Sequence, residues 1–273
     1  MLSSTIEIIT IGNELLIGKI VNTNAQWLSK QITNIGGRIT RITTIADDIE
    51  EIASVLKEAI SRGSNFVITI GGLGPTFDDK TLTGIAKAIN VELELNDEAL
   101  RMVKEKYSDY SDEGHSSRKE LTPHRIKMAK IPKGAEPIFN PEGTAPGVLF
   151  RTRETRIIAL PGVPSEMKAI FKDSVKKMIR KAVGKMLFFE STLEVKEIPE
   201  PDLAPLIDRT MKDNPLVYIK SHPKGGETKS KVQLHISITS SDSKEAKKRL
   251  VKTIIEISEL IQEKGGKIRK IQR

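Results

Sequence analysis

The chain has 273 residues, 38% hydrophobic and 29% charged, with a net charge of +8. That is enough apolar material for one large domain or two ordinary ones, in the balance of a soluble globular protein. It has no cysteine, which excludes disulfides, thiolate catalysis and cysteine-type zinc sites, and no apolar run approaches the roughly 18 to 20 residues that cross a bilayer.

Thr5–Ile11 (TIEIITI) is a β-branched run of the kind that forms a buried strand. The loop GNELLIGK leads into a predicted helix over Asn24–Ile35, where Trp27, Leu28, Ile32 and Ile35 recur at helical spacing and Gly36-Gly37 stops the helix. Arg38–Ile45 reads as a second strand. Asp47 and Asp48 then precede an amphipathic helix carrying Ile52, Val55, Leu56 and Ala59, so acids sit at its positive end. Asn65–Ile70 is a third strand, followed by GGLGPTFDD and a helix from about Lys80 to Ile89. Three alternations of strand and helix argue for a parallel sheet covered by helices.

Asp97–Tyr107 reads as a helix, Ser108–Ser117 as a polar loop and Lys119–Met128 as a resumed helix. Val148–Leu160 reads as a hairpin split at Thr152–Thr155, and Ser165–Val183 as one long helix. From Leu187 the pattern changes: strand Phe188–Lys196, a proline-bearing helix or loop, strands Leu216–Ser221 and Lys231–Thr239 about a glycine turn, and helix Ser243–Glu263. The predicted organisation is an α/β domain with a mostly parallel sheet over residues 1–178 and a small α+β domain over 179–273.

The strongest motif is Gly71-Gly72-Leu73-Gly74-Pro75-Thr76-Phe77-Asp78-Asp79-Lys80-Thr81, between a strand and a helix. Its glycines let backbone amides approach a phosphate at a helix N-terminus. Two adjacent acids would repel a bare phosphate, and make sense where a divalent cation bridges carboxylate and phosphate or one acid activates water. The alternative is structural, with Asp78 as N-cap and Asp79 complementing the helix dipole. The spacing fits neither GxGxxG nor a P-loop. Gly12-Asn13-Glu14-Leu15-Leu16 and Pro161-Gly162-Val163-Pro164-Ser165-Glu166 also follow strands. In an open parallel sheet, such loops share one rim at the carboxyl ends, which the loop Asn140-Pro141-Glu142-Gly143-Thr144-Ala145-Pro146-Gly147 would complete. Taken singly, each is an ordinary turn. The four histidines, His115, His124, His222 and His235, have no metal-binding spacing and read as structural or solvated, and Trp27 reads as core.

The charge is lopsided: residues 1–165 sum to −1 and residues 166–273 to +9. A basic C-terminal third suits an anionic partner, nucleic acid among them, or simply a lysine-rich solvated surface. The N-terminus lacks a secretory pattern, so a cytoplasmic protein without a membrane partner is expected.

GNELLIGKIVNTNA, the ADD after the second strand, GGLGPTFDDKT, NPEGTAPG and LPGVPSEM together resemble the CinA family of competence/damage-inducible proteins. Its N-terminal domain is similar to the molybdopterin-binding domains of MogA, MoaB and MoeA. The resemblance covers residues 5–170. The remainder, including SHPKGGE, resembles the KH-like middle module of that family more weakly, although Gly225-Gly226-Glu227-Thr228 lacks the GXXG spacing of a KH domain. A nicotinamide-nucleotide amidase domain often follows in CinA proteins, and its activity is expected to be absent from a chain ending at Arg273.

The resemblance implies a three-layer α/β/α domain and a metal-dependent pyrophosphatase that converts ADP-ribose to AMP and ribose 5-phosphate. It places the catalytic aspartate at Asp79 and a second acid at Asp47, with Asp48 as a near alternative. Asp78 stands where the molybdopterin-handling relatives carry a basic residue, which favours a metal site. On this reading Asp79, with Asp78 or Asp47, holds Mg²⁺, Mn²⁺ or Co²⁺ against the diphosphate. Amides of Gly72, Gly74 and Thr76 cradle a phosphate, Thr81 and Thr144 donate hydroxyls, and Glu14 orients water or a ribose hydroxyl. The remaining nucleotide contacts fall on Gly71 and Pro75, on Asn24, on Gly143 and Ala145, and on Pro161, Gly162, Pro164 and Glu166. Two rivals are a molybdopterin-binding protein or enzyme of molybdenum-cofactor metabolism, and a nucleic-acid-binding protein acting through the basic module. The favoured role of that module is a dimerisation element, giving a homodimer, or a lid.

Overall fold

The computed structural model describes residues 4–112, 121–224 and 231–271; His115, the start of the resumed helix at Lys119 and the glycine turn Gly225–Thr228 lie outside them. The chain divides into two compact units, Met1–Thr33 with Gly37–Ala182, and Asn34–Gly36 with Val183–Arg273. Among the described residues no helix is long and apolar enough to cross a membrane.

The first unit runs β1 (Thr5–Ile11), α1 (Asn13–Leu16), α2 (Thr23–Asn34), β2 (Arg38–Ile45), α3 (Ile49–Ser61), β3 (Phe66–Ile70), α4 (Thr81–Ala88), β4 (Leu93–Leu95) and α5 (Asp97–Asp112). It continues with α6 (Pro123–Lys127), β5 (Lys130–Pro132), β6 (Glu136–Ile138), β7 (Gly147–Arg151), β8 (Arg156–Leu160), α7 (Pro164–Ile170), a π-helical turn (Phe171–Val175) and α8 (Lys176–Val183). The break between units falls at the end of α8 rather than at 178/179.

Six strands form one sheet in the order β2-β1-β3-β8-β7-β6. The four from β2 to β8 are parallel, and β7 pairs antiparallel with both β8 and β6. β1 and β3 are buried almost end to end, as strands with helices over both faces must be. Ile52, Leu56 and Ala59 of α3 enter the core with Ile9, Val67 and Ile157 of the sheet. Glu7, in the middle of β1, is only 3% exposed; Arg62 and Ser64 satisfy it.

Several expectations needed correction. The resumed helix is short, because Thr122 caps it through the Arg125 amide and Pro123 fixes its first turn. The long helix predicted from Ser165 contains the π-helical turn, with Phe171 and Val175 buried in it. The half-buried Trp27 packs edge-on to Phe171 at 5.5 Å. β4, β5 and β6 are three-residue strands that no period of two revealed.

The second unit comprises β9 (Leu187–Lys196), α9 (Glu200–Asp213), β10 (Tyr218–Pro223), β11 (Lys231–Ser240), α10 (Ser243–Glu263) and β12 (Lys267–Ile271). Its antiparallel sheet has the order β10-β11-β9-β12. A β-α-β-β-α-β chain in that order is the split β-α-β arrangement, where the resemblance implied a KH-like module. Leu193, Val195, Leu234 and Ile236 of the sheet share one core with Leu203 of α9 and Ile257 of α10.

Candidate functional site

Because β1, β3 and β8 are parallel neighbours, the loops after them emerge together at their carboxyl ends. Gly71 ties the three together. Its amide donates to the Leu160 carbonyl at 2.9 Å, and its own carbonyl accepts from Thr81 Oγ1 at 2.8 Å. A Cβ there would lie 2.3 Å from the Ile11 carbonyl oxygen, at φ +108°, so only glycine brings the strand ends this close.

Above this junction lies a cavity of about 380 Å³, lined by Gly12, Glu14, Asp47, the segment Gly71–Pro75, Asp78 and Asp79, with Met128, Thr144, Ala145, Pro161, Gly162 and Glu166 completing the wall. A second cavity of about 220 Å³ shares Glu14 and Gly162 with it and adds Asn24 and Pro164. The structure therefore brings together most of the residues singled out in the sequence. Among the described residues no lysine or arginine lines the main cavity, and its carboxylates are Glu14, Asp47, Asp78, Asp79 and Glu166.

The 74–79 turn is built on its own side chains. Asp79 Oδ2 accepts the Thr76 amide at 2.8 Å and the Thr76 hydroxyl at 2.6 Å, and the same hydroxyl meets Asp78. That hydroxyl, first, and the Asp78 backbone amide hold the Asp78 carboxyl below the usual carboxylate range, with the charges of Lys127 and Lys80 acting the same way. The Asp79 carboxylate lies so close over Gly74 that a Cβ there would stand 2.7 Å from Oδ2. Neither acid caps α4, whose N-cap position is Lys80 with no side-chain bond.

Three expected phosphate contacts are thereby reassigned. The Thr76 amide is taken by Asp79, the buried Thr81 hydroxyl by Gly71, and the Gly143 amide by Asn140 Oδ1 at 2.9 Å. By contrast, the amides of Gly72, Leu73 and Gly74 have no hydrogen-bond partner among the described residues.

The other acids are anchored individually. Asp47 Oδ2 accepts the Asn13 amide at 2.8 Å, whereas Asp48 caps α3 through the Glu50 and Glu51 amides, which separates the two candidates. Glu14 folds back over Gly12. Glu166 accepts from Asn140 Nδ2 at 2.7 Å; that nitrogen also donates to the Ala145 carbonyl at 2.8 Å, so one buried amide sets the third wall. Asn24 Nδ2 donates to the Gly162 carbonyl at 2.7 Å, and its buried Oδ1 has no partner among the described residues. Among the described residues, no group of three or more His, Asp or Glu side chains converges as a metal site.

Sequence reasoning missed the clamp on the turn. Lys127 of α6 donates to the carbonyls of Thr76 and, at 2.8 Å, Asp79; His124, read as structural or solvated, lies 3.3 Å from the Pro75 carbonyl. Only the proximity of a lone lysine to a predicted helix end hinted at this, and that is too common to read.

The model for the probable molybdopterin binding domain matches residues 7–181. The chain belongs to the molybdopterin-binding-domain family. A protein of Pyrobaculum arsenaticum is 44% identical over 268 residues, covering 97% of this chain and 98% of its own length. Another, from Sulfurisphaera tokodaii, is 41% identical over 263 residues, covering 96% and 97%. The crystal structure of the protein CinA from Thermoplasma acidophilum is 42% identical with a TM-score of 0.59, covering 65% of this chain and 98% of that one.

Within this molybdopterin-binding-type domain, Lys127 holds the loop that carries Asp78 and Asp79. Charge-assisted bonds of this kind contribute about 1.5 kcal/mol, so Lys127→Met is expected to speed amide exchange across residues 74–79 about tenfold. Hydrogen-exchange mass spectrometry checks it; unchanged protection there would show that the turn stands without the clamp.

Proposed function

We propose that the main cavity binds a phosphorylated pterin of the molybdopterin type. The observation that carries the reading is the row of amides at Gly72, Leu73 and Gly74 with no hydrogen-bond partner among the described residues, set among acceptor-only carboxylates in one cavity. Successive free N–H groups accept a phosphate, and the amino-pyrimidinone edge of a pterin offers adjacent N–H donors that a carboxylate accepts as a pair. Glu14, Asp47 and Glu166 are the candidates for that second contact.

A second reading, metal-dependent cleavage of a nucleotide diphosphate such as ADP-ribose, is favoured by the Asp78 and Asp79 carboxylates meeting on the Thr76 hydroxyl beside the same amides. Two carboxylates suit a hard cation whose remaining ligands are substrate phosphates and water. Bound there, Mg²⁺, Mn²⁺ or Co²⁺ would neutralise the diphosphate. The chain's own part is to set both carboxylates beside the amides, with Glu14 placed to orient a water.

Calorimetric titration with molybdopterin and with ADP-ribose, alongside an assay of AMP release with each metal, separates the two. Pterin binding without AMP release is the expected result. Metal-dependent AMP release would replace it with the second reading, and no binding of either compound would overturn both.

A further inference from the structure

We propose that the polar face of the second unit's four-stranded sheet, whose edges are exposed while Thr192 and Glu194 at its centre are buried, binds single-stranded nucleic acid. One face of that sheet is apolar and joins the helices in the core. The strand pairing assigns the other face row by row. Lys220, His235, Thr192 and Ile271 form one row; His222, Gln233, Glu194 and Arg269 form the next; and Lys231, Lys196 and Lys267 follow.

The face is cationic. Against its four lysines and one arginine stand Glu190 and Glu194; Glu194 is paired with Lys231 at 2.8 Å and Lys196 at 3.6 Å, and Lys267 is paired with Glu197 at 2.7 Å. Lys220 and Arg269 are exposed and have no ion-pair partner among the described residues. They stand on opposite edge strands, three strand spacings or about 14 Å apart.

Rings lie between these cations. The His222 and His235 rings meet edge to face at 4.9 Å, His235 Nδ1 lies 3.1 Å from Thr192 Oγ1, and Tyr218, 56% exposed, stands one row away on β10. A polyanion whose bases are free to stack uses both features: cations track its phosphates and rings seat its bases. A four-stranded sheet with a ring-bearing open face is a general solution to that task. A duplex keeps its bases stacked on each other, and an anionic membrane surface would engage the charges alone.

The test uses the full chain and a fluorescein-labelled single-stranded RNA of about 12 nucleotides, long enough for one such surface, with anisotropy followed over about 50 to 200 mM salt. Binding is expected to weaken with a log–log slope of about −0.7 per phosphate contacted. Reversing Lys220→Glu together with Arg269→Glu should lower affinity at least about tenfold and flatten the slope by about 1.4. Tyr218→Ala should lower affinity about fivefold at unchanged slope, as loss of one stacking ring does. Lys248→Glu with Lys252→Glu, on exposed positions of α10, changes the net charge equally and should leave affinity within about twofold. The proposal is overturned by absent binding at the lowest salt, by equal losses from the two charge-reversed pairs, or by equal affinity for a duplex. It is also overturned if the Lys220 and Arg269 reversal spares RNA but abolishes binding to phosphatidylserine vesicles.

Discussion

Asp79→Asn is expected to leave the fold and the 74–79 turn intact while lowering metal-dependent turnover, where AMP release is observed, about a hundredfold. The expectation rests on a division of labour within one carboxylate. Oδ2 accepts both the amide and the hydroxyl of Thr76, and an asparagine carbonyl oxygen can take that place. Oδ1 has no partner among the described residues, and it is the negative charge spread onto it that the substitution removes. Loss of one preorganised electrostatic contact costs about 3 kcal/mol, which is the stated hundredfold. Asp79→Ala removes the turn as well, so only this variant should show faster amide exchange at Thr76. Parent-like turnover by Asp79→Asn would remove Asp79 from the site.

The second large effect concerns stability. Glu7 is held by two bonds from Arg62, at 2.7 and 2.9 Å, and by the Ser64 hydroxyl at 2.7 Å. Removing one partner of a buried pair costs about 3 to 5 kcal/mol. Arg62 keeps 29% side-chain exposure, so the lower end applies, and Glu7→Ala should lower the first unit's melting temperature by about 10 °C. Glu7→Leu with Arg62→Leu should recover much of the loss, because no charge is then left unpaired. The Arg62 guanidinium, against the opposing effect of burial, holds the Glu7 carboxyl below its usual value. A depressed carboxylate stabilises the fold fully above its unfolded pKa of about 4.3 and loses that contribution as pH falls through the lower folded value. Parent stability should therefore decline below about pH 4, and the Glu7→Ala variant should lack that share of the decline. Melting curves at neutral and acid pH measure both effects, and parent-like melting of Glu7→Ala at neutral pH would show that the pair contributes nothing.

What could be read in advance follows from what leaves a periodic trace. The β-branched runs of β1 and β3, the acids before α3 and the glycine loops all mark themselves, and placing the loops on one rim required only that β1, β3 and β8 be parallel. The roles of Thr76 and Thr81 were misread because glycine spacing shows which amides are approachable, not which are already occupied by a neighbouring side chain. Asn140 organises the third wall through four bonds, yet in the sequence it is one polar residue before a proline. In the second unit, β12 (KIRKI) breaks the period of two with Arg269 and Lys270 in succession, so this short charged segment leaves no strand signature, and without it the split β-α-β arrangement could not be closed.

Gly71 has a consequence beyond sterics. Its amide is bonded to Leu160 and its carbonyl to Thr81, and the Ile11 carbonyl oxygen fills the space a Cβ would need. The floor of the site is thus a keystone joint, in which no strand end can shift without dragging the other two. An incoming molecule meets a surface already in its final shape, so little ordering remains to oppose association. The rim around residues 74–79 is held separately, by Asp79 on Thr76 and by Lys127 on the turn's carbonyls, so selectivity among similar guests becomes a matter of fit.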